Sequence, residues 1–307
     1  MKCRRCKAPA QVALPSHNTG FCRECFLTFF SRQVERAIKE HRMFTQRDKI
    51  LAALSGGKDS LALFRELTHQ GYDVTGLHVD LGIDGFSAKA REVVEKFCQD
   101  LGAELIIVSL AESDMAIPKV KAAVKRPICS VCGKIKRYYF NKTALDQGYT
   151  VLATGHNLDD EAGRLLANTL RWDTAYLSDQ GPTLPAESGF AAKVKPLYRL
   201  SEFETANYCF LRGVDYHMGS CPYAKGAKFT FRKGLMQSLE QKSPGSKIGF
   251  YEGFLHKARP AFLALEQKNH EKLLPCLECG YPTSAGTCGV CRLKLTLAGQ
   301  AKFNEYS

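Results

Sequence analysis

Ile50-Leu51-Ala52-Ala53-Leu54-Ser55-Gly56-Gly57-Lys58-Asp59-Ser60 is a short apolar run, a paired-glycine loop and a Lys-Asp-Ser helix start. Gly56 and Gly57 have no side chains, so backbone N–H groups can close around an anion. A helix begun by Asp59 and Ser60 points its positive end at the same place, and Lys58 adds a full charge. The stretch reads as strand, phosphate-binding loop and helix. It is not the G-x-x-x-x-G-K-[ST] loop, because no glycine stands four residues before Gly57-Lys58.

The surrounding chain has 307 residues and is 45% apolar, enough for one catalytic domain with small appendages. It holds no apolar run long enough to span a bilayer. Met1-Lys2-Cys3-Arg4-Arg5-Cys6 is no signal segment, so a cytoplasmic protein without a membrane partner is expected. A formal charge of +12 favours a polyanionic partner. Thirteen cysteines in such a setting read as metal ligands or reactive sulfur rather than a disulfide framework. Cys98 and Cys209 lie in helical patterns and read as buried, inert thiols.

Residues 1–30 form a first module. Cys3-x-x-Cys6 and Cys22-x-x-Cys25 suit a tetrahedral four-thiolate zinc site. Pro9 and Pro15 mark the intervening segment as loop, and His17 reads as an exposed loop residue. Residues 31–47 read as a linking helix starting near Ser31, with Val34, Ile38 and Met43 among charges. Residues 48–220 read as the catalytic domain. Strands are expected at 49–54, 73–79, 104–109 and 150–154, and helices at 60–70, 86–101, 130–147 and 158–171. That alternation predicts an α/β fold with a doubly wound parallel sheet, which binds ligands beyond its carboxyl strand ends.

Three motifs fall at such ends: the phosphate loop, Leu77-His78-Val79-Asp80, and Thr154-Gly155-His156-Asn157-Leu158-Asp159-Asp160-Glu161. Asp159 and Glu161 suit the positive end of a helix, whereas Asp160 is a candidate to hold Mg²⁺ or orient a nucleotide. Ser201-x-x-Glu204 is a capping box opening a helix to about Leu211. Residues 221–274 read as a helical extension, with a basic stretch from Lys225 to Leu239 and an amphipathic helix over 258–272. Residues 275–307 repeat the zinc theme as a ribbon, with Cys276-x-x-Cys279-Gly280 and Cys288-x-x-Cys291.

Three cysteines remain. Cys129 and Cys132 start a helix after Pro127, among Lys125, Arg126, Lys134 and Lys136, a setting that lowers thiol pKa values. Cys221 joins them only through the fold. Three thiolates suit a [4Fe–4S] cluster with one open iron better than a closed zinc site. A cluster-free persulfide relay is the rival, and spacing alone leaves both open.

Ser55 to Ser60 resemble the pyrophosphate loop of the ATP pyrophosphatase superfamily, which implies adenylation with release of pyrophosphate. Taken with Cys129-x-x-Cys132, Gly155-His156-Asn157-Leu158-Asp159-Asp160, Cys221-Pro222-Tyr223 and both terminal modules, the chain resembles the tRNA 2-thiouridine/2-thiocytidine synthetase family. The flanking modules are most similar to its TtuA-like branch. Gly163-Arg164 departs from the Gln-Thr type of pair expected there.

The resemblance implies an enzyme that adenylates the C2 oxygen of a tRNA uridine and replaces it with sulfur. It implies ATP, Mg²⁺, two Zn²⁺ and a [4Fe–4S] cluster on Cys129, Cys132 and Cys221. It places ATP against Ala53, Ser55, Gly56, Gly57, Lys58, Asp59, Ser60, His78, Asp80, Gly155, His156 and Asn157, with Lys58 and Asp160 catalytic. The sulfur donor would be sulfide, a persulfide or a ubiquitin-like thiocarboxylate protein, and relatives are commonly homodimers. Basic residues from Lys119 to Arg137, and Lys225, Lys228, Arg232 and Lys233, would face tRNA phosphates. Two alternatives stand beside this: an adenylating enzyme with a non-sulfur acceptor, as in tRNA lysidine formation, and a zinc-ribbon nucleic-acid-binding protein. The three cysteines argue against the first, and the intact Lys58-Asp59-Ser60 against the second.

Overall fold

The structure, a computed structural model, describes residues 1–187, 189–224, 228–266 and 273–304. The chain opens with a hairpin, β1 (Val12–Leu14) and β2 (Thr19–Phe21), followed by α1 (Arg23–Glu40). The hairpin occupies the segment expected to be loop. The linking helix likewise starts earlier than expected, because Phe26, Leu27, Phe30, Val34, Ala37 and Ile38 form one buried stripe at helical spacing. Ser31 is mid-helix, and α1 stops before residue 47, with Arg42 at φ 47°.

The α/β unit follows: β3 (Ile50–Ala53), α2 (Lys58–His69), β4 (Val74–Asp80), α3 (Ser87–Leu101), β5 (Leu105–Ser109), α4 (Ile117–Ala123) and α5 (Ile128–Asp146). It continues through β6 (Val151–Thr154), α6 (Leu158–Thr169), α7 (Thr174–Asp179), β7 (Thr183–Leu184), β8 (Ala192–Val194) and α8 (Glu202–Arg212). The four expected strands are present to within a residue or two. β7 and β8 have no counterpart among the expected strands: they are short, and Lys193 interrupts the apolar signal.

The sheet order is β5-β4-β3-β6-β8-β7. Every neighbouring pair is parallel except β7 with β8. From β3 the chain winds to one edge through β4 and β5, then returns to β6 on the other side of β3. The carboxyl ends of β3 and β6 therefore form the crevice where ligands bind in doubly wound sheets. Both strands are buried along most of their length, as central parallel strands require.

The remaining elements are α9 (Lys228–Lys242), α10 (Ser246–Gly253), a π-turn (Phe254–Ala258), α11 (Arg259–Glu266), a hairpin of β9 (Leu274–Pro275) and β10 (Pro282–Thr283), and α12 (Gly289–Asn304). The helix expected over 258–272 is found as α11, which begins one residue later, directly after the π-turn; residues 267–272 lie outside the described residues, as does Lys225. Helices α9 and α10 pack on α6, and α11 packs on α7. One core joins Cys3 and Phe26 of the first module, Ile50 and Leu61 of the sheet layer, and Tyr251 and Leu255 of the extension. A second core joins α4 and α5 to Cys276, Cys288, Val290 and Leu297 of the last module.

Helix α8 is locked to α2 behind the phosphate loop. The Tyr208 ring stacks on Phe30 at 4.0 Å, and its hydroxyl donates to the fully buried Glu66 carboxylate at 2.8 Å. Tyr208→Phe keeps the ring and removes the donor. It should lower stability by about 1.5–3 kcal/mol, the range for hydrogen bonds to charged groups. A wild-type urea midpoint would show that this bond does not hold the two helices together.

Candidate active site

Strand β3 delivers Ser55 to Gly57 into the crevice, and Gly56 turns at φ 81°. Its Cβ position lies 2.9 Å from the Ala90 carbonyl, so only glycine fits. The loop is braced internally. The Ser55 amide donates to Ser60 Oγ (3.1 Å), the Gly57 amide to Ser55 Oγ (3.3 Å), and the Ser60 hydroxyl to the Gly57 carbonyl (2.9 Å).

The β6 loop presses on this one. A Cβ on Gly155 would meet the Ser60 nitrogen at 2.7 Å and the Asp59 carbonyl carbon at 2.8 Å. Asn157 Nδ2 donates to Asp59 (3.0 Å), the Thr205 hydroxyl also donates to Asp59, and the Asp160 amide donates to Asn157 Oδ1 (3.1 Å). Burial pushes the Asp59 carboxyl up, against Lys58, Thr205 and Asn157. Asn157 is thus fully engaged in joining the two loops.

Charge is arranged around Lys58. Its Nζ reaches Glu202 at 2.8 Å and Asp59 at 3.1 Å, and Lys233 bridges Glu202 (3.0 Å) and Asp160 (3.0 Å). Burial alone would raise the Glu202 carboxyl, but Lys58 and Lys233 bring it down to about 2. Burial lowers the Lys58 amine, yet Asp59 and Glu202 hold it above its ordinary value. Lys233 therefore turns inward to this network, not outward as a phosphate contact. The unexpected Gly163 explains how: its Cβ position lies 3.1 Å from Lys233 Cγ, where α9 crosses α6. Glu202 and Lys195 carry no signal in their local sequence. Lys195 is paired with Glu161 at 2.8 Å, and Tyr251 donates to the same oxygen at 2.7 Å.

His156 pairs through Nδ1 with the Thr154 hydroxyl at 2.8 Å. Burial first, and Lys195 second, push its pKa down to about 4, so it is neutral at pH 7. On β4, His78 donates from Nδ1 to the Leu54 carbonyl at 2.8 Å, and its buried Nε2 has no partner among the described residues. Asp80 accepts from the Gly82 amide at 2.9 Å, and Ala53 lies half-buried at the end of β3. A cavity of about 810 Å³ lies beyond Glu202 and Lys233, and none of residues 55–60 lines it.

The three remaining cysteines meet beside this loop. Cys129 Sγ lies 3.3 Å from the Tyr223 carbonyl, and Cys132 and Cys221 belong to the same apolar cluster. Burial raises the Cys132 thiol more than Lys136 lowers it, and Cys221 and Cys129 raise it further. The lowered pKa expected at this helix start is not found at Cys132. The segment carrying Cys221 is pinned to the loop, because the His217 amide donates to the Gly56 carbonyl at 2.8 Å. Four residues reach at most about 14 Å, so the third thiol stays near the phosphate loop.

Two other thiol groups are metal-like. Cys3, Cys6, Cys22 and Cys25 place their sulfurs within 4.8 Å of one another, as do Cys276, Cys279, Cys288 and Cys291. In each, a helix start supplies the second pair; the first pair lies in the turn of the β9–β10 hairpin in the last module and in a turn closed by the isolated Lys2–Pro9 bridge in the first. Amides of Cys288 and Cys291 donate to Cys276 and Cys288 sulfurs at 3.1 and 3.4 Å, and amides bring Cys3 and Cys276 down to about 6 against burial. Gly280 turns at φ 72°, and Lys7 takes the corresponding turn at φ 65°. His17 stands outside the first set and bonds Glu204 at 3.1 Å. Among the described residues the trio does not form such a tight set. Ligands of a multi-iron cluster each bind a different iron, so they stand further apart than ligands of one ion. Cys98 and Cys209 are buried, and burial raises them to about 11 and about 12.

Residues 27–224 match the PP-loop domain family, and residues 2–27 match the 2-thiouridine synthetase TtuA N-terminal LIM domain. The chain is 44% identical to tRNA-5-methyluridine(54) 2-sulfurtransferase of Thermus thermophilus, over 95% of this chain and 91% of the relative. It is 41% identical to the Pyrococcus horikoshii protein of that name, over 95% and 93%. The solved structure of the U34-tRNA thiolase NcsA from Methanococcus maripaludis, with its [4Fe-4S] cluster, superposes with a TM-score of 0.81. It is 27% identical, and the match covers 97% of this chain and 96% of that one.

Gly155→Ala should cost about 1–3 kcal/mol by overpacking against the Asp59–Ser60 backbone, and should weaken ATP binding. Unchanged melting and ATP affinity would show that the loops do not brace each other. A second expectation concerns pH. The folded His156 pKa of about 4 lies below the ordinary 6.5, so the unfolded chain binds more protons between these values. The His156 contribution is complete above pH 6.5 and is lost as pH falls to 4. Wild type should therefore lose stability relative to His156→Asn across that window, and parallel pH–stability curves would refute this.

Proposed function

The chain belongs to the TtuA-like family of PP-loop tRNA 2-thiolation proteins, and on that footing we propose that it is an ATP-dependent tRNA 2-sulfurtransferase. The observation that carries the reading is the tether between its two chemistries. The phosphate loop holds the segment bearing Cys221 through the Gly56 carbonyl, and Cys221 neighbours Cys129 and Cys132. An adenylating enzyme with a non-sulfur acceptor has no use for three converging thiols. The relatives at over 40% identity favour 5-methyluridine at position 54 over a wobble uridine.

ATP lies at the β3–β6 crevice with its phosphates on the amides of Gly56 and of Lys58 to Ser60, which the internal brace of the loop does not use, and Ala53, His78 and Asp80 line the nucleoside side. The C2 oxygen of the uridine attacks the α phosphorus. The bond to the bridging oxygen breaks, and pyrophosphate leaves. Lys58 and the loop amides stabilise the charge that builds on it. Lys58 must then exchange its Glu202 contact for phosphate. Two amines, Lys58 and Lys233, face three carboxylates, Asp59, Asp160 and Glu202. A polyphosphate entering this excess of negative charge needs a divalent cation, and Mg²⁺ beside Asp160 answers that need. Neutral His156 adds no charge of its own.

Sulfur then attacks C2, and AMP departs with the former carbonyl oxygen. Cys129, Cys132 and Cys221 would hold a [4Fe–4S] cluster, whose iron without a protein thiolate supplies a carrier for the incoming sulfur. The NcsA structure with its cluster favours this over a persulfide relay. The two four-cysteine sets would hold Zn²⁺ as closed structural sites. A reducing cytoplasm suits eleven of the thirteen cysteines used in this way, and the sulfur donor and a homodimer belong to the same reading.

Cys129→Ser, Cys132→Ser and Cys221→Ser should each abolish thiolation and strip iron from anaerobically purified protein, with ATP binding unchanged. Thiolation assayed by mass spectrometry of tRNA nucleosides decides the point. Wild-type activity in any variant overturns the assignment. Loss of activity with no iron in wild type, even after reconstitution, favours the relay.

A further inference from the structure

Helix α5 carries more than the cysteine pair. One turn beyond Cys132 it presents Lys134, Arg137 and Asn141 to a cavity of about 380 Å³ against the C-terminal module. Lys193 of β8 and Arg292 of α12 close the other sides, and among the described residues the lining contains no carboxylate. Lys134, Arg137 and Arg292 are exposed at its rim, and Lys193 is half-buried. Burial, Arg137 and Lys195 all lower the Lys193 amine, so the cations are crowded without compensation.

The walls are aromatic. Phe190 and Tyr281 meet edge to face at 5.4 Å, and Lys193 Nζ lies 5.6 Å from the Phe190 ring centre. A buried polar group adds a second sign of a ligand. Asn141 Nδ2 donates to the Arg137 carbonyl (2.9 Å) and the Tyr281 hydroxyl (3.0 Å), which fixes its amide. Its Oδ1 is left without a partner among the described residues, an acceptor for an N–H or O–H of a base or sugar rather than for a phosphate.

Four cations without acids select an anion, and aromatic faces beside them select one attached to a flat base. We propose that this cavity binds the tRNA strand next to the nucleotide being thiolated. Two neighbouring backbone phosphates sit among Lys134, Arg137, Lys193 and Arg292, and a base rests against Phe190 and Tyr281. This rests on the tRNA thiolation reading and adds where the RNA is gripped. Cys132 and Asn141 are nine residues apart on one helix, about 14 Å along its axis. That separation is a few nucleotide steps, close enough for one strand to reach both places. The C-terminal module thereby forms half of a nucleotide site.

The test is fluorescence anisotropy of labelled tRNA with the metal-loaded full chain across a series of KCl concentrations. Lys193→Gln/Arg292→Gln should weaken binding about tenfold, and the loss of two phosphate contacts should flatten the salt slope by about 1.5. Phe190→Leu should weaken binding with an unchanged slope. Lys89→Gln/Lys96→Gln, on exposed positions of α3, should match wild type in both. ATP affinity and zinc content should not change. If the double variant sheds metal, Lys193→Gln alone gives the reading, with a slope change of about 0.8. Wild-type affinity and slope in these variants, with normal thiolation by the parent protein, would overturn the cavity and leave the function standing. Intact tRNA affinity with activity lost only when a protein sulfur donor is supplied would assign the cavity to an acidic protein instead. A parent protein that neither binds nor thiolates tRNA would overturn both readings.

Discussion

Two loops leave adjacent parallel strands and touch through a missing side chain. Gly155 lies against the backbone of Asp59 and Ser60, closer than any Cβ allows. That approach puts Asn157 within reach of Asp59, and Thr205 reaches Asp59 from α8. A single carboxylate therefore registers α2, α6 and α8 at their N-termini. Asp159 adds a further link by accepting the Glu202 amide at 2.8 Å. The first amides of a helix have no partner within it; here Asn157 and Ser201 cap their own helices, and Asp159 of α6 meets the Glu202 amide of α8. The positive ends of these helices converge on one crevice before any ligand arrives.

The two four-cysteine modules look alike in sequence but serve different parts of the molecule. The first shares the main core, with Cys3 and Phe26 packed in the layer that contains Leu61 and Tyr208. It supports the back of the nucleotide crevice through α1. The second shares its core with α5 and with Cys132 and Cys221. Helix α5 begins exposed at Cys129. The last module shares its core with that helix, so it supports the cysteine pair as the first module supports the crevice.

What the sequence shows of this site is what is local in the chain. The phosphate loop, the Ser201–Glu204 capping box and both four-cysteine sets depend on spacings of a few residues, and each lies where those spacings placed it. Asp160 and Glu202 are forty-two positions apart in number, and their common partner Lys233 follows still later. No periodicity marks such a contact. The same reason hides Lys195, whose pairing with Glu161 depends on β8 lying beside β6. The boundary of α1 fails differently: a metal-binding pair reads as the end of its module, yet Cys25 lies inside the helix. Gly163 reads as a departure without a consequence, and only the crossing of α9 over α6 gives it one.

The net charge of +12 divides into cations that are spent and cations that are not. Lys58, Lys195, Lys233 and Lys247 each hold a carboxylate in the interior. They shape the crevice and contribute little field outside it, because a paired charge is seen from a distance as a dipole. Lys134, Arg137, Lys193 and Arg292 line a cavity with no carboxylate among the described residues. An unpaired, half-buried amine such as Lys193 is costly to the folded chain. Such a cost persists where a ligand offsets it, and for a surface on the helix that carries Cys129 and Cys132, a phosphate of the proposed RNA substrate is the anion that would meet the need. The paired lysines build the ATP site, and the unpaired ones bring the polyanion to it.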